Sequence, residues 1–104
     1  MSDKLDPQRT VLYRALANYY AEKLGVSQEE LALTANIDVN RFLAFTSGTT
    51  DEMTLSERES FCSMTRSFVE AERQEVAEAK WYRRPIPRTA EDVASEVIAQ
   101  GGKP

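Results

Sequence analysis

Few side chains in this sequence can make or break bonds. There is no histidine, which removes the usual general base and the commonest metal ligand. Cys62 is the only cysteine, so no intrachain disulfide and none of the common zinc patterns can form. No P-loop, dinucleotide-binding glycine fingerprint or nucleophile elbow occurs, and four glycines leave little material for a phosphate cradle. We expect no catalysis, no cofactor and no metal. What remains is recognition chemistry. Lys80, Arg83, Arg84 and Arg88 fall within residues 80–88, interleaved with Trp81 and Tyr82 and held extended by Pro85 and Pro87. Such a basic arm suits phosphate tracking or entry into a minor groove. The same cations can instead offset a helix macrodipole and pair with nearby acids at i,i+4. On that reading Trp81 and Tyr82 pack the last helix, and this is the placement expected for them.

These side chains need elements to position them. Residues 27–48 read as two short helices joined by a tight turn. Ser27 can cap the first, and Glu30, three residues on, can complete a capping box. Leu31, Ala32 and Ala35 form its apolar face. Asp38 can cap the second, Phe42 and Phe45 line its inner side, and Gly48 can take the left-handed stop. Only Asn36, Ile37 and Asp38 separate the two patterns, which forces a steep crossing. Before them a helix runs from about Pro7, capped by Asp6, to Leu24, stopped by Gly25, with Leu12, Leu16, Tyr19 and Leu24 near one stripe. After them a fourth helix starts at Thr54 or Ser56, each with a Glu three residues on, and extends as a solvated rod to about Tyr82. Thr89 or Ala90 opens a last helix, with Val93, Ala94, Val97 and Ile98 on one face and Gly101–Gly102 as its stop. That helix is short enough to need a packing partner, in this chain or a second copy.

The middle stretch resembles the helix-turn-helix of lambda-repressor/Cro-type, Xre-like bacterial and phage regulators. That motif has a polar cap followed by Gln, a buried Leu-Ala pair, a turn, two apolar residues three apart and a closing Gly. Here these are Ser27, Gln28, Leu31–Ala32, Asn36–Ile37, Phe42, Phe45 and Gly48, without insertion or deletion. Asn36 stands where Gly is usual, and Asn tolerates the left-handed conformation. The likeness covers roughly residues 7–70. It implies an all-α fold: a compact four-helix lambda-repressor-like domain over residues 1–70, with 71–104 as a helical extension, basic linker and short C-terminal helix. It further implies a sequence-specific regulator of transcription that binds double-stranded DNA, with the third helix (about 39–47) in the major groove. Val39, Asn40, Leu43 and Ala44 then occupy base-contacting positions. Asn40 could bond to adenine, Val39 or Ala44 could touch a thymine methyl, and Leu43 could make only apolar contact. Gln28, Arg41, Thr46 and Ser47 occupy phosphate-contacting positions.

Regulators of this type usually work as two-fold dimers. Phe61, Met64, Phe68 and Val76 keep helical spacing on the fourth helix and are the expected homodimer seam. Charge pulls the other way. The net charge is −4, and residues 27–48 carry one cation, Arg41, against three carboxylates. DNA-binding domains ordinarily present a basic face. The alternative is therefore a protein-interaction module on the same fold, without DNA binding. No apolar run is long enough to span a bilayer, so a cytoplasmic protein is expected.

Overall fold

The helices begin and end where the capping side chains stand. The computed structural model describes residues 3–101, and among them the fold is all-α, with helices α1 (Pro7–Leu24), α2 (Gln28–Ala35), α3 (Val39–Thr46), α4 (Leu55–Trp81) and α5 (Ala90–Ala99). The Asp6 carboxylate accepts from Arg9 N–H at 2.8 Å, and Gly25 closes α1 at φ 66°. The Ser27 hydroxyl accepts from Glu30 N–H at 3.2 Å, and Asn36 closes α2 at φ 60°. Asp38 accepts from Arg41 N–H at 3.0 Å. Thr54, rather than Ser56, caps α4, with Glu57 completing a reciprocal box. Thr89 and Asp92 form the same box on α5. Gly101 takes φ 69° just past α5; Gly102 lies outside the described residues.

The core is built around Tyr20, Leu31, Phe42, Phe45 and Phe61, all buried. Two departures from the expected faces share one cause. On α1 the buried residues are Thr10, Ala17 and Tyr20, while Leu12, Leu16 and Tyr19 are half-buried and Leu24 is exposed. On α5 they are Ala90, Val93 and Val97, with Ile98 outside. Helix α5 folds back along α1 in the same chain. So α1 is clasped on two sides, and a single stripe does not describe it.

The boundary expected at residue 70 falls inside α4, which runs unbroken to Trp81. Glu72, only 3% exposed, pins three helices together. Its carboxylate accepts from the hydroxyls of Tyr19 and Tyr20 on α1, from Lys23 Nζ at 2.7 Å, and from Ala90 N–H at the start of α5 at 3.1 Å. A buried carboxylate is tolerated only with such a full set of donors. The N-terminal segment adds a short pairing that no periodicity announced. Lys4 bridges Glu52 in antiparallel sense, Leu5 N–H donates to Asp51 O at 3.0 Å, and Leu5 and Met53 are buried beneath. No described helix is long and apolar enough to cross a membrane.

Candidate nucleic-acid interface

Helix α3 is short, and its outward side follows from its inward one. Phe42 and Phe45 are buried, three residues apart. At about 100° per residue this turns Asn40 directly outward, with Leu43 and Ala44 beside it and Val39 at the edge. Asn40 is exposed, and the other three are half-buried. The four residues expected at base edges therefore share one ridge.

Three fastenings hold that ridge. The phenyl rings anchor it from beneath. Arg14, reaching from α1, donates from Nε to Phe45 O and from Nη2 to Thr50 O, both at 2.7 Å, with its guanidinium 5.0 Å from the Phe45 ring centre. It adds a second donor to a carbonyl at the end of α3, which also accepts from Gly48 N–H at 3.2 Å, and it fixes the following loop. On the α4 side, Arg41 donates from Nε and Nη2 to Glu57 Oε2 and Oε1 at 2.8 and 2.9 Å. This fork holds the Glu57 carboxyl below its ordinary range against the opposing effect of burial, and the Thr54 hydrogen bonds act in the same sense.

The expected phosphate contacts are engaged within the chain. Arg41 is 49% exposed at its side chain, yet its charge is matched by Glu57. Gln28 lies against α1, with Nε2 donating to Asn18 Oδ1 at 3.1 Å and Oε1 buried without a partner. Gln28 thus faces its own fold rather than outward. The hydroxyls of Thr46 and Ser47 donate to the α3 carbonyls of Leu43 and Ala44. Glu29, Glu30 and Asp38 are exposed around the pair. The face carries negative charge with no uncompensated cation of its own.

The basic segment divides. Arg88 pairs with Glu96 on α5, and its carbonyl accepts from Tyr19. Lys80, Arg83 and Arg84 point to solvent at the far end of α4, about 35 Å from Glu57 at the helical rise. The packing expected for Trp81 and Tyr82 is not found: they are 81% and 61% exposed. Helix α5 packs its Val93–Val97 face along α1 instead, and the two rings stay outside. The dimer seam expected on α4 is also corrected. Phe61 and Met64 are buried in the chain's own core, so they cannot meet a second copy. Phe68 is half-buried with its ring 4.8 Å from that of Tyr20. Val76 is half-buried in a cleft with Ile86 and Pro87.

Arg14, Glu57 and Glu72 are the positioning residues that the sequence left unmarked. Glu57 carried a local signal, its place three residues after Thr54, but only the fold brings it to Arg41. Arg14 and Glu72 carried none, since Arg14 acts on a residue 31 positions away, and Glu72 acts on Ala90, 18 away, and on α1 residues some fifty away. No protein-family model, curated protein or solved structure matches this chain.

Proposed function

We propose that the protein is a DNA-binding regulator of the lambda-repressor-like helix-turn-helix type, with α3 in the major groove of double-stranded DNA. The observation that carries this is the place of Asn40. It stands alone as an exposed amide at the centre of the outward ridge, opposite two buried phenyl anchors, on a helix joined to its neighbour by three residues. An amide so placed can bond bidentately to adenine, with Val39 and Ala44 flanking it for thymine methyls. Electrostatics set the manner of binding. With Arg41 matched by Glu57, few phosphates are neutralised, so non-specific affinity is low and discrimination comes from base edges. Two copies on a two-fold site supply the remaining affinity, through surfaces other than Phe61 and Met64.

The test is selection of bound duplexes from a random pool, followed by anisotropy titration of the selected site. Asn40→Ala should lose about 1–3 kcal/mol of discrimination between selected and random duplex. Arg41→Ala should change it little. A selected pool bound no better than the random one refutes the assignment. A second reading, a protein-docking module, is favoured by the acidic surround and by Leu33, 69% exposed on α2. It requires that Leu43→Asp abolish partner capture while duplex DNA gives no shift at physiological salt.

A further inference from the structure

The end of α4 is finished in an unusual way. A residue in the left-handed conformation follows the helix, with Arg83 N–H donating to Lys80 O at 3.3 Å and Arg84 N–H to Ala79 O at 2.7 Å. That geometry favours glycine. The chain obeys the preference after α1, α3 and α5, where Gly25, Gly48 and Gly101 have φ of 66°, 88° and 69°, and uses the tolerant Asn36 after α2. Only after α4 does it place a long cation, Arg83, at φ 55°. Backbone strain kept at one position invites a functional reason. Offsetting the macrodipole is not enough, because Lys80 already serves the last turn without strain.

Large apolar side chains around that elbow are uncovered, and Trp81 is the most exposed of those described. Trp81 is 81% exposed, Tyr82 61% and Ile86 58%. The Arg84 guanidinium lies over the Tyr82 ring, 5.0 Å from its centre, within cation–π range. Lys80, Arg83 and Arg84 have no carboxylate partner among the described residues. Three cations without a carboxylate partner among the described residues, one of them over the Tyr82 ring, thus sit within five residues of the exposed Trp81 in a chain whose net charge is −4.

We propose that this elbow, Lys80 to Arg84, is a binding site for single-stranded nucleic acid, with Trp81 stacking on an unpaired base and the three cations tracking its phosphates. Charge complementarity requires a polyanion. Exposed ring faces require a partner with open π-faces, which an unpaired base offers and a base buried in a duplex does not. A membrane surface fits less well. Interfacial insertion wants apolar and charged residues segregated onto opposite faces of a helix, whereas here the two rings, Trp81 and Tyr82, are flanked directly by Lys80 and Arg83–Arg84 at a helix end. The site stands some 35 Å along α4 from α3 and does not depend on what α3 binds.

Trp81 is the only tryptophan, so its fluorescence reports this elbow alone. A labelled oligothymidylate of about a dozen nucleotides, titrated into the full chain, should quench Trp81 emission without a blue shift and raise the label's anisotropy. Three cations at about 0.7 each predict a slope of about −2 for log affinity against log salt. Trp81→Ala should weaken binding about fivefold or more by anisotropy. Arg83→Gly should reduce the slope to about −1.4 while its melting temperature holds or rises, because glycine suits the left-handed position. Asn40→Ala should bind the strand as the parent does. The assignment is overturned by an oligothymidylate that gives no response at low salt, by binding that survives Trp81→Ala and Arg83→Gly intact, or by binding lost with Asn40→Ala. A blue shift on phosphatidylserine vesicles, with no response to the strand, would overturn it in favour of a membrane.

Discussion

Replacing Glu57 by glutamine changes the charge of the α3 face while leaving its scaffold in place. Gln is nearly isosteric with Glu and can serve at the third position of a capping box, so the start of α4 keeps its bond to Thr54 N–H. What is lost is the ionic fork to Arg41, whose side chain is already 49% exposed and can swing to solvent or to a phosphate. Because the pair is partly exposed, its loss should lower stability by no more than about 1 kcal/mol. For a domain of this size that is about 4–8 °C in melting temperature. DNA binding should move the other way. One negative charge disappears and one cation is released at the flank of α3. The slope of log affinity against log salt should steepen by about 0.9. Between 50 and 200 mM salt that adds about a 3.5-fold loss of affinity, on top of tighter binding at low salt. Anisotropy titration of the selected duplex at four salt concentrations, with a melt monitored by circular dichroism, measures both. A destabilised protein with unchanged affinity and unchanged slope would mean that Arg41 does not face phosphates and that α3 does not enter a groove.

Other perturbations test the frame that holds α3. Burial acts to raise the Glu72 carboxyl, and the hydrogen bonds from Lys23, Tyr19, Ala90 and Tyr20 together outweigh it, so its folded pKa lies below the ordinary value of 4.5. Its stabilisation is therefore fully present above about pH 4.5 and lost as pH falls through the folded value, and Glu72→Gln should flatten the acid limb of stability against pH. Glu72→Ala leaves the buried Tyr20 hydroxyl and Ala90 N–H without their acceptor, while Lys23 keeps Glu75, and should cost about 1–3 kcal/mol for each orphaned group in urea denaturation. Burial, with hydrogen bonds to Cys62 and Glu72 respectively, pushes Tyr13 and Tyr19 up to about 12. The stabilisation from their neutral forms holds below about pH 10 and fades as pH rises through about 12, so tyrosinate absorbance from these two should lag that of the unfolded chain. Phe42→Ala should cost about 3–5 kcal/mol, whereas Asn36→Gly, at φ 60°, should leave the melting temperature unchanged or slightly higher.

Local chemistry made most of the fold readable. Asp6, Ser27, Asp38 and Thr89 cap the helices that follow them, and Gly25, Asn36 and Gly48 close helices in the left-handed conformation. These devices act within four residues of their partners, so the sequence carries them whole. The outward ridge of α3 was readable for the same reason, since Phe42 and Phe45 fix the helix phase. What the sequence left unmarked depends on elements meeting. Ala17 and Tyr20 face the core shared with α2–α4, Leu16 packs at its edge, Leu24 stays outside, and α5 lies along another face of α1, beside Val11, Ala15 and Tyr19. The same packing turned Phe61 and Met64, spaced like a seam, into core residues. Arg14, Glu57 and Glu72 carry long side chains that a periodicity argument assigns to solvent, yet each fastens a helix far away in sequence.

On the proposed reading of α3, an acidic chain has one advantage over a basic one. Specificity is the difference between affinity for the site and affinity for all other DNA, and the phosphate contribution raises both alike. Matching Arg41 with Glu57 removes much of the common part, while leaving Asn40 free to contribute to the difference. The rigidity of α3 then matters more than its charge. An amide that reads one base edge must be held in register without help from a net of phosphate contacts, and Phe42, Phe45, Arg14 and the Glu57 fork hold it from beneath, from the end and from the side. Lys80, Arg83 and Arg84 lie instead at the other end of α4, beside the exposed Trp81 and Tyr82, where the proposed strand site would use them differently. The two ends should thus respond to salt differently, shallowly at α3 and more steeply at the elbow. Equal slopes for duplex and strand would show that a single surface serves both.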